Sequence, residues 1–476
     1  FVLHAPATDY ERAFIVQASS GIEGLIVAAP DLASMRMLEA PLRQSFGDAL
    51  VLYHSGLNQG QRSEAIKQMA SGEARAVLGS LMAVYAPLPR VRLIALAHEE
   101  STLYKSQSAP HANARDVAVM RAYLEGSTVL LTSICPSVES WHNAASGKYT
   151  LLDHSKGGSR PRVRVMGMYA DKGEKRKAFS EKLIASVERA ASGGGRALLY
   201  VNRKGHSTLK CSECGHMDLC PTCSVPLVFH KWHKKGRTLE CALCGNSSKP
   251  GETCPSCKGH SLEPTGVGLE RIEEEFKAMR PVGVDTKTRD RIKLLTEDES
   301  RLAVGTRTLT RSDALSHGFQ VVGVVNADSF MYQPDFRAAE RAMQDLVYAA
   351  DKTAPGGELI IQSNRPRHLL FSNLRSFNLK AFYKRELEER REPGFPPHTR
   401  IAVLRIEGDK RPKLDPFGFK DAEALGPVGA LDKKGRKHFK LLLKASTSAI
   451  LQHAVRKALA QLKGRKVDVD VDPLEL

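Results

Sequence analysis

The chain has 476 residues, enough for about three or four domains at roughly 100–200 residues each. Its 42% hydrophobic content is that of a protein with a real core, which excludes a disordered or collagen-like chain, and no run approaches the ~20 apolar residues of a membrane span. Lys and Arg number 70 against 53 Asp and Glu, and the formal charge of +17 points to a polyanionic partner, nucleic acid first. Residues 1–20 lack the basic start and apolar block of a signal peptide, and Phe1 in place of Met leads to the expectation of a fragment.

Short apolar runs at 25–28, 50–53, 76–78, 91–96 and 128–131 read as strands, with helical patterns at 32–46 and 64–70 between them. Strands separated by helices mean βαβ units and a parallel sheet, so residues 1–149 read as one doubly wound α/β domain. The pattern resumes with a strand at 163–166, a helix at 179–191 and a strand at 196–201, and again with a helix at 268–279 and strands at 302–304 and 321–325. A second α/β domain is therefore expected in two parts, 150–208 and 261–365, around an insertion at 209–260. Ser192-Gly-Gly-Gly195 reads as a helix end and turn, since no strand precedes it and no Lys-Ser/Thr follows. Residues 366–400 are charged, end at Pro393-Gly-Phe-Pro-Pro397 and read as a linker. Residues 401–476 read as a small α+β domain with strands at 401–406, 439–443 and 467–471 and a helix at 449–462.

The insertion holds eight of the nine cysteines, as Cys211/Cys214, Cys220/Cys223, Cys241/Cys244 and Cys254/Cys257. Two thiolates two residues apart on a tight turn reach one Zn²⁺ at about 2.3 Å, and a second such knuckle completes a tetrahedron. Eight thiolates make two closed Cys₄ sites, structural rather than catalytic, and spacing alone leaves open which pairs share an ion. Disulfides are the alternative, but a large chain with a leftover Cys135 and no secretory signal argues against them. His216, His230, His233 and His260 read as solvated, His54 as a turn residue and Cys135 as a packing residue.

Basic residues cluster where nucleic acid could be held. In His230-Lys-Trp-His-Lys-Lys-Gly-Arg237, Trp232 lies among Lys231, Lys234, Lys235 and Arg237; either it stacks on an unpaired base while the cations hold phosphates, or it packs against a zinc knuckle. Arg203 and Lys204 follow a strand, and Lys433, Lys434, Arg436 and Lys437 load a hairpin of the last domain; each set is a backbone-contact candidate or a solvated face.

The order of motifs around these cysteines resembles the PriA (primosomal protein N′) replication-restart family of superfamily 2 helicases. They are Tyr53-His-Ser-Gly-Leu57, Ala114-Arg-Asp-Val-Ala-Val-Met-Arg121, Pro136-Ser-Val-Glu-Ser-Trp141, Asn202-Arg-Lys-Gly205, Gly266-Val-Gly-Leu-Glu-Arg271, Ala327-Asp328, Pro334-Asp-Phe-Arg-Ala-Ala-Glu-Arg341 and Asp468-Val-Asp-Val-Asp-Pro473. The resemblance implies two tandem RecA-like helicase lobes, an inserted two-zinc Cys₈ module and a small α+β C-terminal domain. It also implies one zinc on Cys211, Cys214, Cys254 and Cys257 and a second on Cys220, Cys223, Cys241 and Cys244. The implied partners are forked and single-stranded DNA, other primosome proteins, single-strand-binding protein and the replicative helicase or its loader. The implied location is the bacterial cytoplasm, beside the nucleoid. The family's N-terminal DNA-binding domains have no counterpart in this sequence.

The departures from the family concern ATP. A phosphate cradle needs a Gly-rich loop, a Lys and a Ser/Thr; after the first strand this chain has Ala5-Pro-Ala-Thr-Asp-Tyr-Glu-Arg12, and Asp9 and Glu11 would repel a triphosphate. The Mg²⁺-holding Asp of the family's Asp-Glu-x-His is Ala97, leaving Glu99 or Glu100 as substitutes. The arginine-finger stretch corresponds to Tyr348-Ala-Ala-Asp-Lys-Thr-Ala-Pro355, without an Arg, and the segment after Gly305-Thr306 is altered to Arg307-Thr-Leu-Thr-Arg-Ser-Asp313. Losing one finger typically costs ~10³–10⁵ in rate. The expectation is a restart protein that binds DNA with no catalytic residues and no ATP hydrolysis, the sequence leaving open whether ATP and Mg²⁺ are still bound. Two other readings stay open: an ATP-dependent 3′→5′ helicase with an atypical nucleotide site, and a zinc-module scaffold outside restart.

Overall fold

The structure is a computed structural model that describes residues 1–168, 179–200, 208–211, 213–221, 226–233, 236–241, 246–260, 262–264, 302–305, 318–415, 419, 421–431 and 436–475, without side chains at 230–233, 236, 263, 264 and 431. The expected helix at 268–279 and the motifs at 202–205, 266–271 and 307–313 lie outside these residues.

The first lobe runs β1 (Val2–His4), α1 (Thr8–Ser19), β2 (Leu25–Ala28), α2 (Leu32–Phe46), β3 (Leu50–Tyr53), α3 (Gln59–Ser71), β4 (Ala76–Gly79), β5 (Leu93–Leu96), α4 (Ala114–Glu125), β6 (Thr128–Ser133), α5 (Val138–Ala145) and β7 (Leu151–Asp153). Its seven strands form one sheet in the order β3-β4-β2-β5-β6-β1-β7, every pair parallel. β2, β4 and β5 read Leu-Ile-Val-Ala, Ala-Val-Leu-Gly and Leu-Ile-Ala-Leu and are buried throughout, as parallel strands covered on both faces must be. Local chemistry fixes the helix starts: Asn58 and Gln61 close a reciprocal capping box on α3, and Asp31 accepts from the Ser34 N–H at the head of α2.

The second lobe begins with β8 (Arg162–Gly167), α6 (Glu181–Ser192) and β9 (Ala197–Tyr200). The cysteine block follows with β10 (Leu209–Cys211), β11 (Val228–His233), β12 (Gly236–Glu240), β13 (Ser247–Ser248) and β14 (Leu262–Pro264). The lobe continues with β15 (Leu302–Gly305), β16 (Phe319–Val324), α7 (Asp328–Met331), α8 (Ala338–Asp351) and β17 (Thr353–Ser363). Its parallel sheet has the order β15-β9-β16-β17-β8. β9 and β15 are neighbours in that sheet although the cysteine block separates them in the chain, so the block is an insertion.

Residues 366–400 are not a structureless linker. They carry α9 (Leu369–Arg375) and α10 (Leu379–Arg391), and α10 buries Leu379, Phe382, Tyr383, Glu386 and Arg390. The high charge that suggested a solvated segment is partly internal pairing, since Arg390 meets Glu386 at 2.7 Å and Glu340 at 2.9 Å inside the protein. One apolar cluster joins β1, β2 and α2 of the first lobe to β16, α8, α9 and α10. The last domain is an antiparallel sheet, β19-β20-β18-β21, of β18 (Arg400–Glu407), β19 (Ala422–Leu431), β20 (Lys437–Ala445) and β21 (Val467–Val471). It is backed by α11 (Ser448–Gln461), which buries Leu451, Ala454 and Ala458. Its last strand docks on the first lobe: Lys105 reaches Asp470 at 2.9 Å, and His111 meets Asp468 at 2.9 Å.

Candidate nucleotide cleft and metal centre

Ligands of parallel α/β sheets bind beyond the carboxyl ends of the strands. In the first lobe the ends of β1, β5 and β6 open toward α8 of the second lobe, the place where a phosphate cradle would stand. The β1–α1 connection there is Ala5-Pro6-Ala7, three residues without glycine. A helix N-terminus attracts an anion through its free N–H groups and its dipole. Here the anion is the protein's own: the Thr8 N–H and hydroxyl both donate to the Asp351 carboxylate, at 3.1 and 2.8 Å. Asp351 ends α8, and Ala7, the N-cap residue of α1, supplies no side-chain cap.

The remaining acids of the cleft are also committed to protein partners. Glu11 is fully buried and accepts from the His98 N–H at 2.7 Å and the Thr132 hydroxyl at 2.7 Å. Asp9 is exposed and pairs with Arg12. Of the two candidate Mg²⁺ ligands, Glu99 turns to the start of α5, accepting from the Ser137 N–H at 2.6 Å, the Ser140 hydroxyl at 2.9 Å and Arg115 at 3.2 Å. Burial pushes its carboxyl up, with Arg115 pulling the other way. Glu100 accepts from the Tyr348 hydroxyl at 2.7 Å. The same hydroxyl lies 2.8 Å from His98 Nδ1, and His98 holds a left-handed φ of 51°, a backbone position that side chains rarely adopt. The stretch Tyr348–Pro355 thus supplies a phenol and a carboxylate to the first lobe where an arginine finger would supply a cation. Sequence reasoning missed Tyr348 and Asp351; the available signal was a polar stripe, Glu340, Gln344, Tyr348 and Asp351, at helical spacing along α8.

Beside the cleft a second buried cluster ties three elements together. Arg337 meets Glu139 of α5 at 2.6 Å, Glu340 accepts from the Val138 N–H at 2.9 Å, and Arg390 reaches Glu340 from α10. Burial would push Glu139 up, but Arg337, Arg390 and Arg115 hold it down, at about 2.

In the insertion, Cys211, Cys214, Cys254 and Cys257 bring their sulfurs within 4.8 Å of one another. Cys211 and Cys257 lie 3.6 Å apart and Cys214 and Cys254 3.5 Å; four thiolates about 2.3 Å from one ion would be roughly 3.8 Å apart. The donor set and its spacing fit a tetrahedral metal. Both knuckles close alike: the Cys211 N–H donates to His216 O and the Cys254 N–H to Gly259 O, with Gly215 and Lys258 in the left-handed region. The φ of 74° at Gly215 is what favours glycine there, and the Arg365 side chain lies directly against it. The His216 N–H pulls the Cys214 thiol down to about 7; the Gly259 N–H does the same for Cys257, but its neighbouring thiols outweigh that and push it up to about 12. Crowding of this kind is what a dication relieves.

Cys220 and Cys241 are buried in a separate cluster with Leu209, Phe229 and Leu239. The Cys241 N–H donates to Asn246 O, the same five-residue closure as in the other knuckles. Cys223 and Cys244 lie outside the described residues. So do Arg203, Lys204, Lys234, Lys235, Lys433 and Lys434 and the side chains of Lys231 and Trp232; Arg237, Arg436 and Lys437 are exposed. Val228–His233 pairs antiparallel with Gly236–Glu240, as the two arms of the expected hairpin would. His216 pairs with Asp218 at 3.3 Å, His54 Nδ1 accepts from the Gly56 N–H, and Cys135 is buried.

A family model described as the primosomal protein N C-terminal domain matches residues 391–474. Over the whole chain, similarity is found to proteins named replication restart protein PriA. That of Synechocystis sp. is 30% identical over 494 residues, 95% of this chain and 59% of that protein. That of Chlamydia muridarum is 30% identical over 98% of this chain and 67% of that protein, and that of Treponema pallidum 28% over 100% and 77%. The chain spans about three fifths of the Synechocystis and Bacillus subtilis proteins. Among solved structures, the DUF1998 helicase MrfA bound to DNA aligns with 79% of this chain and 49% of its own at 12% identity and a TM-score of 0.45.

Proposed function

Because this chain belongs to the PriA family of replication restart proteins, we propose that it binds forked and single-stranded DNA and promotes primosome assembly without hydrolysing ATP. The observation that carries this reading is the Asp351 carboxylate on the Thr8 N–H and hydroxyl, where a triphosphate would need to sit. A phosphate brought there meets a like charge and no backbone cradle. Of the acids that could have held Mg²⁺, Glu99 is taken by Ser137, Ser140 and Arg115, and Glu100 Oε1 accepts from Tyr348. With no γ-phosphate to sense, the lobes serve as a platform.

The zinc reading extends to both sites: one ion on Cys211, Cys214, Cys254 and Cys257, one on Cys220, Cys223, Cys241 and Cys244. The first rests on the converging sulfurs, the second on the shared knuckle closure at Cys241 and the common burial of Cys220 and Cys241. DNA is contacted through Arg203, Lys204, the 231–237 hairpin and the 433–437 hairpin, whose described cations Arg237, Arg436 and Lys437 are exposed. The protein partners are other restart proteins, single-strand-binding protein and the replicative helicase or its loader, in the bacterial cytoplasm beside the nucleoid. No helix among the described residues is long and apolar enough to cross a membrane.

Fluorescence anisotropy with a labelled fork, a single strand and a plain duplex tests the reading. Tighter binding to the fork than to the duplex, unchanged by Mg-ATP, is expected; equal affinity for all three, or affinity that ATP shifts, contradicts it.

A further inference from the structure

We infer that α8 is a latch that holds the two lobes together without any nucleotide. Its residues Glu340, Gln344, Tyr348 and Asp351 follow one another by four, four and three positions and therefore share one helix face. Three of them grip the first lobe at separate places. Glu340 takes the Val138 N–H at the start of α5, Tyr348 bridges His98 and Glu100 after β5, and Asp351 takes the N-terminus of α1. All of these contacts cross from one lobe to the other, and Glu340, Tyr348, His98 and Glu100 are buried. Arg337, next to this face, adds the ion pair to Glu139.

Two-lobed proteins commonly close around a ligand, whose contacts with both lobes hold the closed form. In this chain the contacts come from both lobes' own backbone and side-chain groups. Separating the lobes would break these bonds together and expose the apolar cluster that spans both lobes. The latch thus leaves one lobe arrangement, suited to a protein that holds DNA rather than walks along it. The inference rests on the nucleotide-free reading above, yet the two fail separately: ATP turnover defeats that reading, whereas lobe movement without turnover defeats the latch alone.

Spin labels on non-natural residues at Glu64 in α3 and Glu188 in α6, both exposed, report the distance between lobes and leave the thiols untouched. The wild-type chain should give one narrow distribution, the same alone, with Mg-ATP and with a non-hydrolysable analogue. Tyr348→Phe with Asp351→Ala should broaden it toward longer distances, and amide exchange at Thr8–Glu11 should accelerate about tenfold or more. If the double variant does not fold, Asp351→Asn, which keeps the size of the side chain, should still speed exchange at Thr8. A wild-type distribution that is broad or moves with nucleotide overturns the latch; so does a variant as narrow and as slowly exchanging as wild type.

Discussion

Asp328 shows how a single carboxylate joins the cysteine block to the second lobe. Lys210, one residue before Cys211 of the four-cysteine cluster, reaches it at 3.0 Å, and Ser363 and the Asn364 backbone and side chain donate to it at 2.6, 2.9 and 2.6 Å. Removing one member of a buried pair strands the other's charge, at a cost of about 3–5 kcal/mol, whereas replacing both by apolar groups of similar size costs far less. Asp328→Ala should therefore lower unfolding stability by about that amount in urea titrations, and Lys210→Met with Asp328→Leu by distinctly less. His4 makes a second case, through pH. Burial pushes its imidazole down to about 4 from an ordinary 6.5, with Asp153 pulling the other way, and burial does the same to His368. The unfolded chain takes up these protons near pH 6.5 and the folded chain only near 4, so stability falls as pH drops across that window and levels off below it. His4→Gln should flatten the decline by roughly 3 kcal/mol between pH 7 and pH 4, measured by urea unfolding at each pH; an unchanged slope contradicts the assignment.

Among elements, the knuckles were the most legible in the sequence, because a metal turn is local: two thiols, a tight bend and one left-handed position lie within six residues. The central strands were legible for a similar reason, since burial on both faces writes an unbroken apolar run. Three features were not. α10 hides behind a highly charged composition whose Arg390 and Glu386 neutralise each other inside the protein. β19 contains Gly426-Pro427, turn-forming residues tolerated where its register against β20 shifts between Leu425 and Val428. The filling of the cleft joins Thr8 to Asp351, 343 positions apart, which no periodicity reveals. A closed zinc site supplies folding energy, on the order of 10–16 kcal/mol of apparent binding, and with two such sites proposed, elemental analysis should find two zinc ions per chain. Cys211→Ser and Cys220→Ser should each lose one, and a strong chelator should expose residues 208–264 to protease before the lobes. A single ion in the wild-type chain would contradict the two-site assignment.

For the whole molecule, the charge of +17 bears on how the proposed latched form would hold DNA. A protein that holds DNA without ATP turnover, as proposed, does so through its own surface, and phosphate contacts reveal themselves in salt dependence rather than in sequence preference. Replacing Arg436 and Lys437 by Gln should weaken fork and single-strand binding together. It should also reduce the slope of log affinity against log salt by roughly 0.7–0.9 for each phosphate that the two cations neutralise. Trp232→Ala should instead weaken single-strand binding by about 1–3 kcal/mol with the slope unchanged, if the ring stacks on a base; a drop in thermal stability with unaltered affinity would place it against the metal knuckle. The most direct test of the account is ATP turnover by the purified chain with Mg²⁺ and saturating forked DNA, under conditions where anisotropy shows the fork bound. The rate should be indistinguishable from the protein-free background; a DNA-stimulated rate on the order of 1 s⁻¹ or faster, within the ordinary enzyme range, would show that the lobes still turn over ATP.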